Sequence, residues 1–161
     1  MKNTKTSHSE SYLDSFRQVV NDYHKKNNLV VFTDGSADNM KQSEPIKFGF
    51  LIYEKGKLIH SDSQMCNDTF NTSIKSELMA VNAALGFLLL EGITNEDIIL
   101  FSDNKWLVEW AVNKSSWYSK SYDKAYYESF VELRELMSQL KSVKAIWIPR
   151  EVNEEADRLT R

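Results

Sequence analysis

Apolar and polar positions alternate along this chain with two different periods, and the switch between them marks the elements. Between Ser11 and Lys26 the apolar residues fall at Leu13, Phe16, Val19, Val20 and Tyr23, a helical spacing on one face. Leu29–Thr33 is a continuous apolar run of strand length. KFGFLIYE over Lys47–Glu54 is a second strand, Lys55-Gly56-Lys57 a tight turn, and Leu58–Gln64 the hairpin partner. Ser73–Leu90 reverts to the helical period, with Leu78, Val81, Ala84, Leu85, Leu88 and Leu89 on the apolar face and Glu91-Gly92 as the stop. Asp97–Phe101 reads as a buried strand. Asn104–Val112 reads as a helix with Trp106, Leu107, Trp110 and Ala111 on one side. A helix capped by Asp123 and reaching Leu140 follows, then a strand over Val143–Ile148 stopped by Pro149. A last short helix is capped by Asn153.

In this order the first three strands pair as an antiparallel meander. The later strands alternate with helices, so right-handed crossovers set them parallel to the first. The expected fold class is therefore α/β, a mixed sheet flanked by helices. The pattern divides the chain into an extension, residues 1–28, carrying the short amphipathic helix, and a domain, residues 29–161. That helix is expected to pack on the domain or on a partner.

Composition narrows the chemistry. A chain of 161 residues with 42% hydrophobic residues suits one core. The single cysteine, Cys66, excludes an internal disulfide and a cysteine-built zinc site, and fits a reducing cytoplasm. The three histidines, His8, His24 and His60, make no ligand pair at helical spacing. No apolar run reaches the ~20 residues needed to span a bilayer, and the polar start MKNTKTSHSE is no secretory signal. The net charge of −3 does not exclude a nucleic-acid partner, which needs a local basic stripe.

Four acids give the pattern a direction. Asp34 follows the first strand in FTDGS, and Asp103 follows DIILF in FSDNKW. Both leave the carboxyl ends of strands expected to be parallel, where open α/β sheets build their sites. Glu77 lies near the start of the long helix beside core-facing Leu78, and Asp157 lies on the last helix. Each alone is an ordinary turn residue, cap or solvated charge. Together at one edge they would repel by several kcal/mol, a large part of a domain's ~5–15 kcal/mol. Divalent cations remove that cost, and all-carboxylate ligands suit Mg²⁺ or Mn²⁺.

FTDGS, SELMAV, FSDNKWLVEWA and WIPREVNEEADRL, in that order, resemble the four signature blocks of the type 1 ribonuclease H family. The resemblance runs from about Leu29 to the end of the sequence. It implies a ribonuclease H-like fold with a five-stranded mixed sheet flanked by helices. It implies endonucleolytic cleavage of the RNA strand of an RNA–DNA hybrid, leaving a 5′-phosphate, by two-metal-ion hydrolysis with Mg²⁺ or Mn²⁺. On this resemblance Asp34, Glu77, Asp103 and Asp157 are the catalytic metal ligands, and Glu77 also touches the RNA 2′-hydroxyl. Gly35 and Ser36 would let the backbone approach the RNA closely.

Two family features are absent. No histidine follows His60, so the loop Pro149–Asn153 offers Arg150 as the substitute, and Thr72-Ser73-Ile74 stand where an asparagine is usual. For the substrate, Asn104 and Lys105 follow the second aspartate. The stretch VNKSSWYSKSYDKAYY interleaves lysines with aromatic residues, and Trp117 and Lys120 are its expected strand contacts. The alternatives are a weakly catalytic or silent binding relative and a related nuclease such as a junction resolvase. Oligomeric state is left open, with the N-terminal helix as an interaction element.

Overall fold

A computed structural model describes residues 9–41, 43–67, 71–113 and 126–161. Five strands, β1 (Leu29–Ser36), β2 (Ile46–Glu54), β3 (Lys57–Cys66), β4 (Asp97–Ser102) and β5 (Ser142–Trp147), form one sheet in the order β3-β2-β1-β4-β5. The β1–β2 and β2–β3 pairs are antiparallel, and β1–β4 and β4–β5 are parallel. The mixed sheet expected from the pattern is therefore the one observed. Lys55 and Gly56 both adopt positive φ, 50° and 77°, the turn geometry whose twist matches two antiparallel strands.

The period of two sorts the sheet residues onto two faces. Leu29, Val31, Phe50, Ile52, Ile98 and Leu100 point to one side, where α2 (Ser73–Leu90) and α3 (Tyr127–Ser138) cover them. Val30, Phe32, Leu51, Ile99 and Phe101 point to the other. There α1 (Glu10–Lys26) lies across the sheet, with Val20 buried and Phe16 and Tyr23 half-buried. Phe16 meets Trp147 edge-on at 5.5 Å, and Tyr23 meets Phe101 at 6.0 Å. Each such apolar side chain stabilises by ~1.5–3 kcal/mol when fully buried. The short α4 (Glu154–Arg158) shares this face through Ala156.

Local chemistry fixes the helix ends. The Ser9 hydroxyl accepts from the Tyr12 amide at the start of α1, and the Thr72 hydroxyl accepts from the Lys75 amide at the start of α2. Asn39, from the β1–β2 loop, adds a second bond at α2, accepting from the Ser73 amide at 2.9 Å. Gly92 closes α2 with φ 75°, and the Ile93 amide reaches back to the Leu88 carbonyl at 2.9 Å.

Four expectations need correction. The first strand does not stop at Thr33: Asp34, Gly35 and Ser36 stay in register with Gly49, Phe48 and Lys47 of β2. The long, continuous β2 supplies pairing partners that outweigh the turn preference of Asp-Gly. Second, residues Leu107–Val112 form a π-helical turn, with the Asn113 amide bonding the Val108 carbonyl at 3.2 Å. Trp110 is 40% exposed, while Trp106 packs on the core, so the two do not share one buried side. Third, α3 spans Tyr127–Ser138, and the expected cap Asp123 lies outside the described residues. Fourth, Asn153 stands at the N-cap position of α4 but its side chain makes no capping bond; it is buried and donates instead to the Thr33 carbonyl at 3.0 Å.

Candidate functional site

The site is a consequence of strand register. In the parallel β1–β4 pair Phe32 lies opposite Phe101, both on the face shared with α4. Two residues further along each strand, on the same face, come Asp34 and Asp103. Neighbouring strands lie ~4.8 Å apart, so alternation alone brings the two carboxylates together at the carboxyl edge of the sheet. Glu77 arrives from α2. Carboxylate oxygens of Asp34, Glu77 and Asp103 all lie within 4.8 Å of one another.

Gly35 makes this approach sterically allowed. A Cβ on Gly35 would sit 2.4 Å from the Ser76 carbonyl carbon and 2.5 Å from the Glu77 nitrogen. The first turn of α2 thus lies directly on the β1 tip, on the side opposite the Asp34 carboxylate. The missing side chain at Gly35 admits α2, and Gly35 also lines the open cavity at this edge, where the sequence placed a substrate approach.

Burial and mutual repulsion set the protonation of the group. Asp34 and Glu77 are 5% and 6% exposed. Burial, the nearby Asp103 charge and Asp157 push the Asp34 carboxyl up to about 7, against hydrogen bonds from Thr160 and Gly35. Burial, then Asp34 and Asp103, raise Glu77 well above the usual carboxylate range. Burial also raises Asp103, opposed by Asn153 and Arg150. One Glu77 oxygen, Oε2, is buried with no hydrogen-bond partner among the described residues. A buried carboxylate oxygen without a donor is costly, and a divalent cation would satisfy it. The donor set, all carboxylate oxygen, fits a hard cation such as Mg²⁺ or Mn²⁺.

Asp157 borders the same open cavity, about 450 Å³, together with Ser36, Ser73, Arg150, Thr160 and Arg161. Its two oxygens are engaged by arginines. Arg150 Nη2 donates to Oδ1 at 3.1 Å, and Arg161 Nε donates to Oδ2 at 2.9 Å, with Arg161 Nη2 on the same oxygen. Burial works to raise this carboxyl, but Arg161 and Arg150 outweigh it and hold it below the usual range.

The remaining expected residues divide. Ser36 and Arg150 line the cavity. Asn104 serves its own turn, its Oδ1 accepting from the Leu107 amide at 2.9 Å. Lys105 lies over the Trp147 ring, 4.7 Å from its centre, and the Trp147 indole donates to the Asp103 carbonyl at 3.0 Å. Trp117 and Lys120 lie outside the described residues. Sequence reasoning missed Asn153, Thr160 and Arg161. The last two stand three and four positions after Asp157, one turn along, a spacing that puts them beside it.

A five-stranded mixed sheet in this order, with helices on both faces and acids at the β1 and β4 tips, defines the ribonuclease H-like class. The profile of the reverse transcriptase-like family matches residues 32–161, and the chain belongs to that family. Among solved structures, LC11-RNase H1, isolated from compost by a metagenomic approach and solved in complex with an RNA/DNA hybrid, is 24% identical. The match covers 81% of this chain and 92% of that one, with a TM-score of 0.67. RNase H1 of the halophilic archaeon Halobacterium salinarum matches over the same shares, at 22% identity and a TM-score of 0.66. LC9-RNase H1, a type 1 RNase H with the type 2 active-site motif, is 17% identical over 83% of this chain and 70% of that one, with a TM-score of 0.66. No curated protein sequence matches the chain. The family resemblance read from the four sequence blocks and the expected fold both stand. Helix α1 lies outside the matched residues.

Proposed function

We propose that this protein is a divalent-metal-dependent endoribonuclease that cleaves the RNA strand of RNA–DNA hybrids. The observation that carries the reading is the trio Asp34, Glu77 and Asp103, the first two buried and Asp103 half-buried, mutually repelling, and holding an orphaned Glu77 oxygen at the rim of this fold. Two unit charges at 4.8 Å repel by about 3–4 kcal/mol at an effective dielectric near 20. A chain that keeps three of them there is built to hold cations.

In this reading Asp34, Glu77 and Asp103 hold Mg²⁺ or Mn²⁺, and Asp157 is the fourth ligand at the cavity wall. Divalent ions supply a water activated at neutral pH and stabilise the leaving oxygen of the phosphodiester. Glu77 discriminates RNA through the 2′-hydroxyl. Arg150 and Arg161 use some of their five donors on Asp157 and keep others for the phosphate. Arg150 takes the place of the histidine that the family resemblance leads one to expect in this loop. Lys105, Trp117 and Lys120 bind the flanking backbone and sugars.

The test is cleavage of a labelled RNA–DNA hybrid with Mg²⁺ or Mn²⁺, beside single-stranded RNA, duplex DNA and a four-way junction. Hybrid-selective scission with 5′-phosphate products is expected. Hybrid binding without scission at any metal concentration would instead mark a silent binding relative, and junction cleavage a resolvase.

A further inference from the structure

We propose that Thr160 is a positioning residue for the metal site, orienting the Asp34 carboxylate through its hydroxyl. The inference rests on the metal-site reading above and adds a residue that neither the four sequence blocks nor the acidic cluster contains.

Thr160 is 5% exposed, and its Oγ1 lies 2.8 Å from Asp34 Oδ2 and 3.0 Å from the Asp157 carbonyl oxygen. A hydroxyl carries one proton. Of two acceptors, an ionised carboxylate attracts it more strongly than a peptide carbonyl. The Thr160 proton therefore goes to Asp34 whenever Asp34 is charged, which is the state a cation requires. That bond fixes one carboxylate oxygen and with it the plane of the group.

The surrounding packing holds Thr160 in reach. Gly49 pairs with Asp34 across the β1–β2 ladder. A Cβ on Gly49 would lie 2.7 Å from Leu159 Cβ, so Leu159 rests against bare backbone there. The next residue, Thr160, then falls on Asp34. At the start of α4, the Asn153 side chain is tied to the Thr33 carbonyl at 3.0 Å, one residue before Asp34. The segment carrying Asp157 and Thr160 is thus fastened to β1 through Asn153 and to β2 through Leu159. The arrangement has the form of an outer-shell hydrogen bond to a ligand, which typically governs affinity 10–100-fold.

The experiment is a calorimetric Mn²⁺ titration of the full chain as wild type, Thr160→Val and Thr160→Ser, with metal-free melting curves for each. Valine keeps the shape and removes the hydroxyl; serine keeps the hydroxyl. The valine variant should bind Mn²⁺ about 10–100-fold more weakly, with serine within about threefold of wild type. A merely structural threonine would change the metal-free melting temperature without this split. A folded valine variant binding Mn²⁺ within about threefold of wild type overturns the role of Thr160. Should valine not fold, Thr160→Ala is held to the same criterion. A wild type that binds no Mn²⁺ brings down the metal-site reading itself, a result distinct from an indifferent valine variant.

Discussion

On the rim of the sheet, Asp34, Glu77 and Asp103 face one another, and none of them makes an ion pair among the described residues. On α4, Asp157 is 4% exposed yet has a guanidinium on each oxygen. The two regions border one cavity and carry the same functional group, but burial has opposite consequences in them. Asp157 has its counter-charges within the chain and stays ionised below the usual range. The rim group has none bonded to it and is driven toward its protonated form. The difference separates a carboxylate that the fold has satisfied from carboxylates that the fold has left for a ligand.

The largest effect that can break this contrast is catalytic. Asp103→Asn should lower hybrid cleavage by about 10³-fold, since ligand loss forfeits several kcal/mol of metal-derived stabilisation. Initial rates on a labelled hybrid read it, and equal rates in mutant and wild type would end the nuclease assignment. Next comes Gly35→Ala. Its Cβ meets backbone at 2.4 Å, so α2 and Glu77 must move. The expected loss is about 3 kcal/mol, roughly 6–12 °C in Tm, with Mn²⁺ binding falling in parallel.

The pH dependence sharpens the contrast because its sign differs between the regions. Asp34 titrates near 7 in the folded protein against ~4 in the unfolded chain. Between those values the folded state binds more protons, so metal-free stability falls as pH rises from about 4 to 7. Asp34→Asn should flatten that fall and raise the metal-free Tm at pH 8 by a few degrees, on the order of 1–3 kcal/mol. Melting curves at stepped pH in chelator check it; a slope unchanged in the variant would show that the rim is not under electrostatic strain.

The smallest effect lies at Asp157. Arg161→Ala should cost about 1 kcal/mol at neutral pH, because the guanidinium is largely exposed and Arg150 remains on the carboxylate. Asp157 is depressed when folded, so its pairing contributes above the usual carboxylate range and is lost as pH falls through the folded value. The Arg161→Ala deficit should therefore shrink toward zero in acid, opposite to the rim. A deficit that persists there would assign Arg161 a packing role.

Much of this was legible along the chain. The helix over Ser73–Leu90 was readable to the residue, because its apolar period is long and Glu91-Gly92 stops it. Asp34 and Asp103 were readable as a pair because each stands at the carboxyl end of an apolar run expected to be a parallel strand. Local signals failed where a partner overrode them. Asp34-Gly35-Ser36 reads as a turn until β2 pairs with it. Asn153 reads as a cap until the Thr33 carbonyl claims its amide. Trp106 and Trp110 read as one buried helical side, yet only Trp106 packs on the core and Trp110 is exposed.

The linear chain carried the order and type of most elements, the placing of Asp34 and Asp103 at the carboxyl ends of neighbouring parallel strands, and the family. These depend on period and on short-range chemistry, which a linear chain records. Only the packed fold shows the register that sets Asp34 beside Asp103, that α1 covers the second face, that Gly35 admits α2, and that Thr160 meets Asp34 across 126 positions. It also decided that Asp157 is held by two arginines. Such contacts are set by how elements dock, and docking is governed by shape and burial summed over the whole core, which no local stretch encodes.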